Sequence, residues 1–337
     1  MRSIGGLLEE RPHLRRVLGY PLTAVALTSV VVGGFSLSSR AILSTMTTLF
    51  MFMVLAQAWN LLGGYGGYLN LGLGAFFGVG AYAVAILEYN FQTPLILGLL
   101  AAGVAAALFA LVIGFPTLRV RGVYFAIITL ILAFLMQRLA FNLPFTRGAV
   151  GIFLSPMVSD SNTAIRTFYF LFLVMAVVTT LGVRRMERNR FGFALVAIRE
   201  DEDAANNLGV KTTSVKVFSF VTGAVLAGVC GGLFAKRVTF IDPDAAFLLV
   251  YSVDPVLMTF FGGAGTWLGP ILGAPLVVLL GEFLRVSFGG LGILGRTGIP
   301  AEVARLAFGV ILMIVALSAR RGLMGLFRPR AGSRRGV

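Results

Sequence analysis

Few residues in this sequence have the types and spacing that chemistry would need. The chain has one cysteine, Cys230, and one histidine, His13, so it cannot form a cysteine–histidine metal cluster or a thiol–imidazole pair on its own. It has no Walker A phosphate-binding loop, so we expect that it does not bind and hydrolyse ATP in that way. We therefore predict no catalytic residue, no metal and no cofactor, and we do not expect an enzyme.

Polar side chains inside the apolar runs are the remaining candidates for function. An ionisable group at the centre of a membrane costs about 2.5–3.5 kcal/mol on insertion scales, so Asp254 needs a physical reason. Asp254 precedes Pro255, a pair typical of a capped half-helix, and we favour that role over contact with a solute. The residues predicted to line a membrane pathway, with hydrogen bonding between helices as the simpler alternative for the neutral ones, are Gln57, Asn60, Asn70, Thr129 and Asp254.

The composition indicates an all-α, polytopic helical membrane protein. Hydrophobic residues make up 58% of the chain and charged residues 12%, with a mean hydropathy of +0.92. A soluble domain would carry about a quarter charged residues. The sequence has about ten apolar runs close to the roughly 20 residues that a membrane span needs. The net charge of +14 comes from basic residues at the ends of these runs, so the expected partner is membrane lipid and not nucleic acid.

The apolar runs predict about ten transmembrane helices, some of them broken. The predicted spans are 21–37, 41–62, a run from the turn 63–67 to about 89, 94–116, 123–143, 167–183, 217–235, two half-helices at 243–253 and 255–261, 270–286 and 303–317. Residues 1–20 and the basic residues 318–337 are predicted to be cytoplasmic segments that flank a membrane domain at 21–317. A cleaved signal peptide ending near residues 36–38 is the alternative for the first span.

Residues 184–216, which we call the knob, are the most charged segment, with seven basic and five acidic residues. Phe191, Leu195 and Ile198 recur at helical spacing and predict a first short helix with one apolar stripe. The acidic residues 201–203 favour the start of a second helix, and Gly209 is placed to end it. A pair of helices of this kind suits docking in the groove of a partner protein. A solvated loop with local caps is the alternative.

The distribution of basic residues predicts the orientation. The segments that would share one side of the membrane contain 19 of the 28 Lys and Arg residues: 1–20, 63–67, 117–121, 184–216, 262–268 and 318–337. The positive-inside rule places that side, with both termini and the knob, in the cytoplasm.

Two glycine-rich segments repeat a short pattern. Residues 63–69 read GGYGGYL and residues 262–268 read GGAGTWL, so three glycines and the leucine coincide. Interrupted apolar segments in corresponding halves of a chain are typical of a transport pathway. The alternative is that small residues let helices pack closely.

Several motifs resemble one family. Asp203-Ala204-Ala205 followed by Gly209 resembles the "EAA" loop of ABC importer permeases, and the preceding Arg199-Glu200 resembles the lead-in of the branched-chain amino acid (LivH/LivM) permeases. Further stretches that resemble this family, and its LivM-type subunit most closely, are 59–67, 74–82, 121–130 and 252–270, so the resemblance extends from about residue 41 to 317. The chain departs from the family pattern at Asn70, at Leu73 and at 146–151.

The resemblance implies the membrane subunit of an ATP-driven importer in a bacterial plasma (inner) membrane. Such a permease takes branched-chain amino acids, or a related small polar solute, from a periplasmic binding protein into the cytoplasm. It also implies ABC ATPase subunits, which bind the cytoplasmic loop, and a second homologous permease subunit. The ATPase-coupling residues would be Arg199, Glu200, Asp203, Ala204, Ala205 and Gly209. An ion-coupled secondary transporter is the alternative, but it would be expected to contain a buried ionisable relay.

Overall fold

The apolar runs of the sequence form long helices. The computed structural model describes residues 39–158 and 160–290 of the 337-residue chain, with side chains placed as far as Phe283. Within these residues, seven helices are long and apolar enough to cross a membrane. The prediction of an all-α, polytopic membrane protein is therefore confirmed. The predicted spans 21–37 and 303–317 and both terminal segments lie outside the described residues.

The described helices follow the predicted spans closely along the chain. They are α1 (Arg40–Asn60, continued by a π-helical turn at Leu61–Tyr65), α2 (Leu73–Phe91), α3 (Leu95–Thr117), α4 (Val123–Asn142), α5 (Ser161–Glu187), α6 (Arg190–Glu200), α7 (Glu202–Asn207), α8 (Thr212–Val238), α9 (Pro243–Ala246), α10 (Val250–Gly262) and α11 (Gly269–Gly290). Two 3₁₀ turns, Pro144–Thr146 and Gly148–Val150, follow α4. The short strands β1 (Ile152–Phe153) and β2 (Phe240–Ile241) pair antiparallel, with Ile152 opposite Ile241.

Small residues allow α8 to pack directly on α2. A side-chain carbon added at Gly80 would lie 1.9 Å from the Gly228 carbonyl oxygen, and one at Gly231 would lie 2.0 Å from the Phe77 carbonyl oxygen. No larger side chain fits at either contact, and close backbone approach of this kind is typical of helix pairs in membranes. This packing holds α2 and α8 together along their length.

Contacts between the helix ends show which connections lie together. The Arg199 guanidinium donates to the Gly64 carbonyl oxygen (3.2 Å), and the Lys216 ammonium donates to that of Leu118 (3.1 Å). Gly265 lies directly against Gly64. The segments that share this end of the bundle, which we call the knob end, are therefore 63–67, 117–121, 184–216 and 262–268. The predicted topology requires the same grouping.

Helix α2 begins later than predicted, because residues 66–72 form a non-helical connection that we call the unwound segment. The Leu71 N–H of this segment donates to the Thr129 hydroxyl (3.0 Å). Thr129 lies six residues into α4, which corresponds to about 9 Å from the end of that helix. Non-helical backbone at such a depth in a membrane is tolerated only where protein buries it or where it lines a water-filled cavity.

The predicted start and cap of the first half-helix are confirmed, but its predicted end at residue 253 is wrong, because the helix ends at Ala246. Asp242 is the N-cap of α9, its carboxylate accepts a hydrogen bond from the Ala245 N–H (2.7 Å), and Pro243 occupies the first helical position. After this single turn, Phe247 packs over Gly78 of α2 and stacks on Tyr82.

The predicted second cap at Asp254 is wrong. Helix α10 begins at Val250, so Asp254 and Pro255 both lie inside it, and the interruption falls at residues 247–249. The physical reason is tertiary packing. Tyr251 stacks on Phe77 of α2 at a ring-centroid distance of 4.2 Å, and this contact sets the start of the helix ahead of the Asp-Pro pair.

Candidate functional site

The knob folds as two short helices that meet at Asp201, as the sequence predicts. Leu195 and Ile198 of the predicted apolar stripe are 0% and 4% exposed, so they anchor α6 to the bundle. The Asp201 carboxylate accepts hydrogen bonds from the backbone N–H groups of Asp203 (3.0 Å) and Ala204 (2.9 Å). This is the N-cap arrangement, and it fixes the start of α7.

Gly209 follows α7 with a φ of +87°, the left-handed conformation that the sequence predicts at this position. No atom lies within 4 Å of a side-chain carbon built there, so only the backbone conformation restricts the residue. Any other residue would therefore strain the turn without meeting a neighbour.

Arg199, at the end of α6, lies across both glycine-rich segments. Its Nη1 donates to the Gly64 carbonyl oxygen (3.2 Å). A side-chain carbon at Gly67 would lie 2.6 Å from Arg199 Cγ, and one at Gly265 would lie 2.9 Å from Nη1. Both glycines thus leave the space that the arginine side chain occupies, and one knob residue contacts two segments at once.

The two glycine-rich segments also contact each other through Asn60. Its Nδ2 donates to the Thr266 carbonyl oxygen and its Oδ1 accepts from the Gly265 N–H, each over 2.9 Å. A side-chain carbon at Gly64 would lie 2.6 Å from the Gly265 nitrogen. Close packing therefore accounts for the glycines at these two positions of the repeated pattern.

A second connection joins the knob to the unwound segment, through a buried polar cluster that we call the Lys216 cluster. The Lys216 Nζ lies 2.6 Å from Oε1 of Glu202 in α7 and 3.0 Å from the hydroxyl of Tyr68 in the unwound segment. It also donates to the Leu118 carbonyl oxygen. The Tyr68 hydroxyl donates to the other Glu202 oxygen, so all three side chains are bonded to one another. Sequence reasoning missed this cluster, because Tyr68 is 134 residues away from Glu202 and 148 residues away from Lys216 in the sequence.

The protonation states in the Lys216 cluster follow from its surroundings. Burial alone would raise the pKa of Glu202, but hydrogen bonds from Lys216 and Tyr68, with the charges of Lys216 and Arg121, lower it below its ordinary value. Burial raises the pKa of the Tyr68 hydroxyl well above its usual range, and the Glu202 carboxylate adds to this effect. At neutral pH the carboxylate is therefore ionised and the tyrosine retains the proton that it donates.

An exposed ion pair extends the cluster to the turn between α3 and α4. Arg121 donates to both oxygens of Asp203, at 3.1 and 2.9 Å, and its Nε lies 3.3 Å from Glu202 Oε2. The Arg121 guanidinium holds the pKa of Asp203 below its usual range. The Asp203 side chain is 77% exposed, so this pair is screened by solvent and orients α7 more than it stabilises it.

The other predicted coupling residues divide into exposed and buried positions. Glu200 and Ala204 are exposed on the knob surface, whereas Ala205 is only 2% exposed and packs α7 onto the bundle. Two large apolar residues that sequence reasoning missed are exposed nearby, Phe193 at 66% and Leu208 at 86%. The available signal was that α6 is apolar on more than one face, which indicates a second surface in need of a partner.

The neutral polar residues predicted to line a pathway hold irregular backbone in place. Thr129 accepts from the Leu71 N–H, and the Asn70 side chain accepts from the Gly72 N–H (2.9 Å) within the unwound segment. The Gln57 Nε2 donates to the Trp267 carbonyl oxygen (2.8 Å). Together with Asn60, these residues lie at the unwound segment and at the glycine-rich segment 262–268. Their hydrogen bonds are those expected of polar residues that hold the chain together, which is the simpler alternative to a pathway lining.

Comparison with known proteins identifies the family. The profile of the family described as the permease component of the branched-chain amino acid transport system matches residues 41–316. The chain belongs to this family. It is the permease subunit of an ABC-type importer, and the matched range agrees with the one expected from the motifs.

Individual relatives of the permease are also similar over most of their length. The chain is 28% identical to the high-affinity branched-chain amino acid transport system permease protein LivM of Salmonella typhimurium, over 92% of this chain and 76% of that protein. It is 28% identical to LivM of Escherichia coli, over 94% and 77%. A probable branched-chain amino acid transport permease protein LivM of Methanocaldococcus jannaschii is 23% identical, over 77% and 80%. No solved structure matches the chain.

Asp254 has a distinct environment in the permease. It lies within α10 and is partly exposed, and its side chain forms no hydrogen bond or ion pair with any residue that the structure describes. An ionisable residue without a partner inside a membrane helix is a default candidate for a functional role.

Proposed function

We propose that this permease uses the knob to couple ATP hydrolysis by partner ATPase subunits to movement of the glycine-rich and unwound segments. The observation that carries the proposal is the position of Arg199, which contacts both glycine-rich segments from the end of α6. Its neighbours Glu200, Asp203, Ala204, Ala205 and Gly209 would shape and present the surface that the ATPase binds. Phe193 and Leu208 supply exposed apolar area for that contact.

The Lys216 cluster would transmit motion from the knob to the membrane interior. Tyr68 belongs to the unwound segment, and it is bonded to Glu202 of α7 and to Lys216 of α8. A displacement of α7 would therefore move Tyr68 as well, because separating buried polar groups from their hydrogen-bond partners costs free energy. Discontinuous helices near the middle of a membrane are typical of the places where transporters open their pathways.

The pathway would run along the unwound segment and the face of α10. Asn70, Thr129, Gln57 and Asn60 are proposed as lining residues on this path, and Asp254 as the ionisable group that faces it or the second permease subunit. The partial exposure of Asp254 and its lack of a partner among the described residues support this assignment.

The proposed solute is a branched-chain amino acid or a related small polar solute, delivered by an extracytoplasmic binding protein. The support is that the relatives named above are branched-chain amino acid permeases. The departures from the family pattern at Asn70 and Leu73 lie in or beside the unwound segment, so they favour testing several solutes of this class.

The proposed orientation has the knob end in the cytoplasm and the opposite end outside a bacterial plasma membrane. Arg119, Arg121 and Lys211 belong to the knob-end connections, in agreement with the positive-inside rule. Both termini, residues 1–20 and 318–337, would then be cytoplasmic. Labelling of single cysteines at Leu208 and Met157, which are 86% and 43% exposed, should place them on opposite sides of the membrane.

The test of the function is uptake by the reconstituted importer. Vesicles would contain this chain, its second permease and its ATPase subunits, with the binding protein outside and ATP inside. We expect uptake of radiolabelled L-leucine, or of another solute from a panel of aliphatic amino acids and amides, that requires ATP and survives collapse of ion gradients by ionophores. Uptake without ATP that ionophores abolish would favour the ion-coupled carrier instead.

A further inference from the structure

A cavity of about 210 Å³ lies at the end of the bundle opposite the knob. It is enclosed by the first turns of α1, the connection between β1 and α5, the start of α5 and the last turn of α8. One wall is polar and cationic, with the side chains of Ser44, Thr47, Lys236 and Arg237. The facing wall is apolar and includes Met157, Ile165 and Phe168.

The two cations of this cavity differ in how their charges are balanced. Lys236 forms an ion pair with Glu88, and each of the two side chains is 10% exposed. Lys236 also donates to the Ser155 carbonyl oxygen (2.8 Å). Arg237 has no carboxylate within ion-pair distance among the residues that the structure describes. One positive charge in the cavity wall therefore has no ion-pair partner in the described part of the chain, and the carboxylate of Glu282 adjoins Ser44 and Thr48 in a separate cavity.

Neutral oxygens hold the Arg237 guanidinium in place. Nη2 donates to the Ser44 hydroxyl (2.9 Å) and carbonyl oxygen (3.3 Å), and Nη1 donates to the Thr48 hydroxyl (3.3 Å). A guanidinium has five N–H donors, so further donors remain for a ligand. Asp160, the acid nearest to the cavity in sequence, is occupied as the N-cap of α5, where it accepts from the Thr163 N–H and hydroxyl.

The cavity therefore suits a small anion with an apolar body. A partly buried cation without a counter-charge is costly, and that cost is relieved when an anion binds. Arginine suits a carboxylate ligand, because its unused N–H groups can donate charge-assisted hydrogen bonds to the carboxylate oxygens. The volume is below the roughly 300–1,000 Å³ of sites for drug-sized ligands, which fits a solute with only a short aliphatic chain.

We propose that this cavity is an entry site, in which Arg237 binds the carboxylate of a small aliphatic solute while the Met157, Ile165 and Phe168 wall contacts its side chain. The class of solute rests on the proposed function, whereas the anion site itself rests on Arg237 and the cavity. An anionic lipid headgroup would present a similar charge to Arg237, and the experiment separates the two sources.

The experiment uses alkylation of a single cysteine in the apolar wall. Cys230 is completely buried and is replaced by alanine, and Ile165→Cys is introduced as the reporter in the full importer in nanodiscs of zwitterionic lipid. The probes are L-leucine, 3-methylbutanoate and 3-methylbutylamine. At a concentration of about ten times its dissociation constant, each carboxylate should slow alkylation by N-ethylmaleimide about tenfold, and the amine should not.

Substitutions at Arg237 decide whether that residue is responsible. Arg237→Gln should remove the protection by both carboxylates, and Arg237→Lys should retain part of it. The matched control is Arg166→Gln, an exposed cation beside the reporter on α5 that does not line the cavity, and it should leave protection unchanged. If Ile165→Cys does not assemble, Met157→Cys on the same wall serves as the reporter.

Three results would overturn the entry site. In the first, the amine protects the reporter cysteine from alkylation as well as the carboxylates do. In the second, the carboxylates still protect it fully in an assembled Arg237→Gln importer. In the third, added anionic lipid slows alkylation but neither carboxylate does. Uptake assays in the same preparation separate this inference from the proposed function. ATP-driven leucine uptake without carboxylate protection refutes only the entry site, whereas carboxylate protection without uptake of any aliphatic amino acid refutes only the proposed solute.

Discussion

The Lys216 ammonium lies 2.6 Å from the Glu202 carboxylate, and the two side chains are only 5% and 11% exposed. This ion pair joins α7 of the knob to the first turn of the membrane helix α8. Because Tyr68 bonds to both partners, the pair also holds the unwound segment. The knob and the unwound segment are therefore parts of one hydrogen-bonded unit.

Removal of one partner should be far more damaging than removal of both. Lys216→Met leaves the buried Glu202 carboxylate with only the exposed Arg121 and the Tyr68 hydroxyl as partners, which costs up to about 3–5 kcal/mol. The double variant Lys216→Met/Glu202→Gln should recover most of that loss, because a neutral amide can still bond to Tyr68. Thermal unfolding of the purified permease in detergent measures both effects. Asp203→Asn, which removes only the exposed pair with Arg121, should leave the unfolding temperature unchanged.

Acid should weaken the same pair in a defined window. The pKa of Glu202 is lowered on folding, so its contribution to stability is complete above its ordinary pKa of 4.5 and is lost as the pH falls through the lower value of the folded protein. The stability difference between the wild-type protein and Glu202→Gln should therefore be constant from pH 7 to about pH 5 and shrink below that. Unfolding temperatures measured for both proteins across this range test the prediction, and a difference that grows on acidification contradicts it.

Gly67→Ala should impair coupling by displacing Arg199. The new methyl group would lie 2.6 Å from Arg199 Cγ, on a backbone with φ of +76°, where a side chain costs about 1 kcal/mol or more. ATP-driven uptake in vesicles should fall while membrane insertion is unaffected. Gly182→Ala is the matched control, because no atom lies within 4 Å of the added carbon in α5. Equal uptake by Gly67→Ala and the wild-type protein would remove the proposed role of Arg199.

Substitutions at Asp254 and Thr129 should both lower uptake, but only the substitution at Thr129 should lower stability. Asp254→Asn removes an ionisable group that has no partner among the described residues, so uptake should fall while thermal stability is unchanged or slightly higher. Thr129→Val leaves the partly buried Leu71 N–H without its acceptor, which costs up to about 1–3 kcal/mol, so stability should fall with uptake. A loss of stability in Asp254→Asn would indicate a structural role for Asp254.

Local sequence patterns were sufficient to predict the knob and most spans. The apolar stripe through Leu195 and Ile198, the acidic residues at the start of α7 and the left-handed Gly209 each depend on neighbouring residues only, and all three are confirmed. The exposed Phe193 and Leu208 could also have been found, because apolar residues outside the buried stripe need another explanation.

Tertiary contacts account for what the sequence did not reveal. The pairs Asp242-Pro243 and Asp254-Pro255 look alike, yet only the first caps a helix, since contacts with α2 place the start of α10 at Val250. The Lys216 cluster likewise joins residues that are far apart in sequence, and its pairing could not be read from spacing.

The most direct test of the knob as the coupling element is solute-stimulated ATP hydrolysis by an importer that contains the Leu208→Glu permease. Leu208 is 86% exposed, so the substitution should not change the folding of the permease, but it would place a charge in an apolar contact with the ATPase. We predict that stimulated hydrolysis and uptake by the reconstituted importer fall together by about tenfold or more, which corresponds to about 1.4 kcal/mol. Leu208→Met should retain both activities, and the unfolding temperature of each variant should equal that of the wild-type protein. If an importer with the Leu208→Glu permease hydrolysed ATP and took up solute at the wild-type rates, the assignment of the knob as the coupling element would be contradicted.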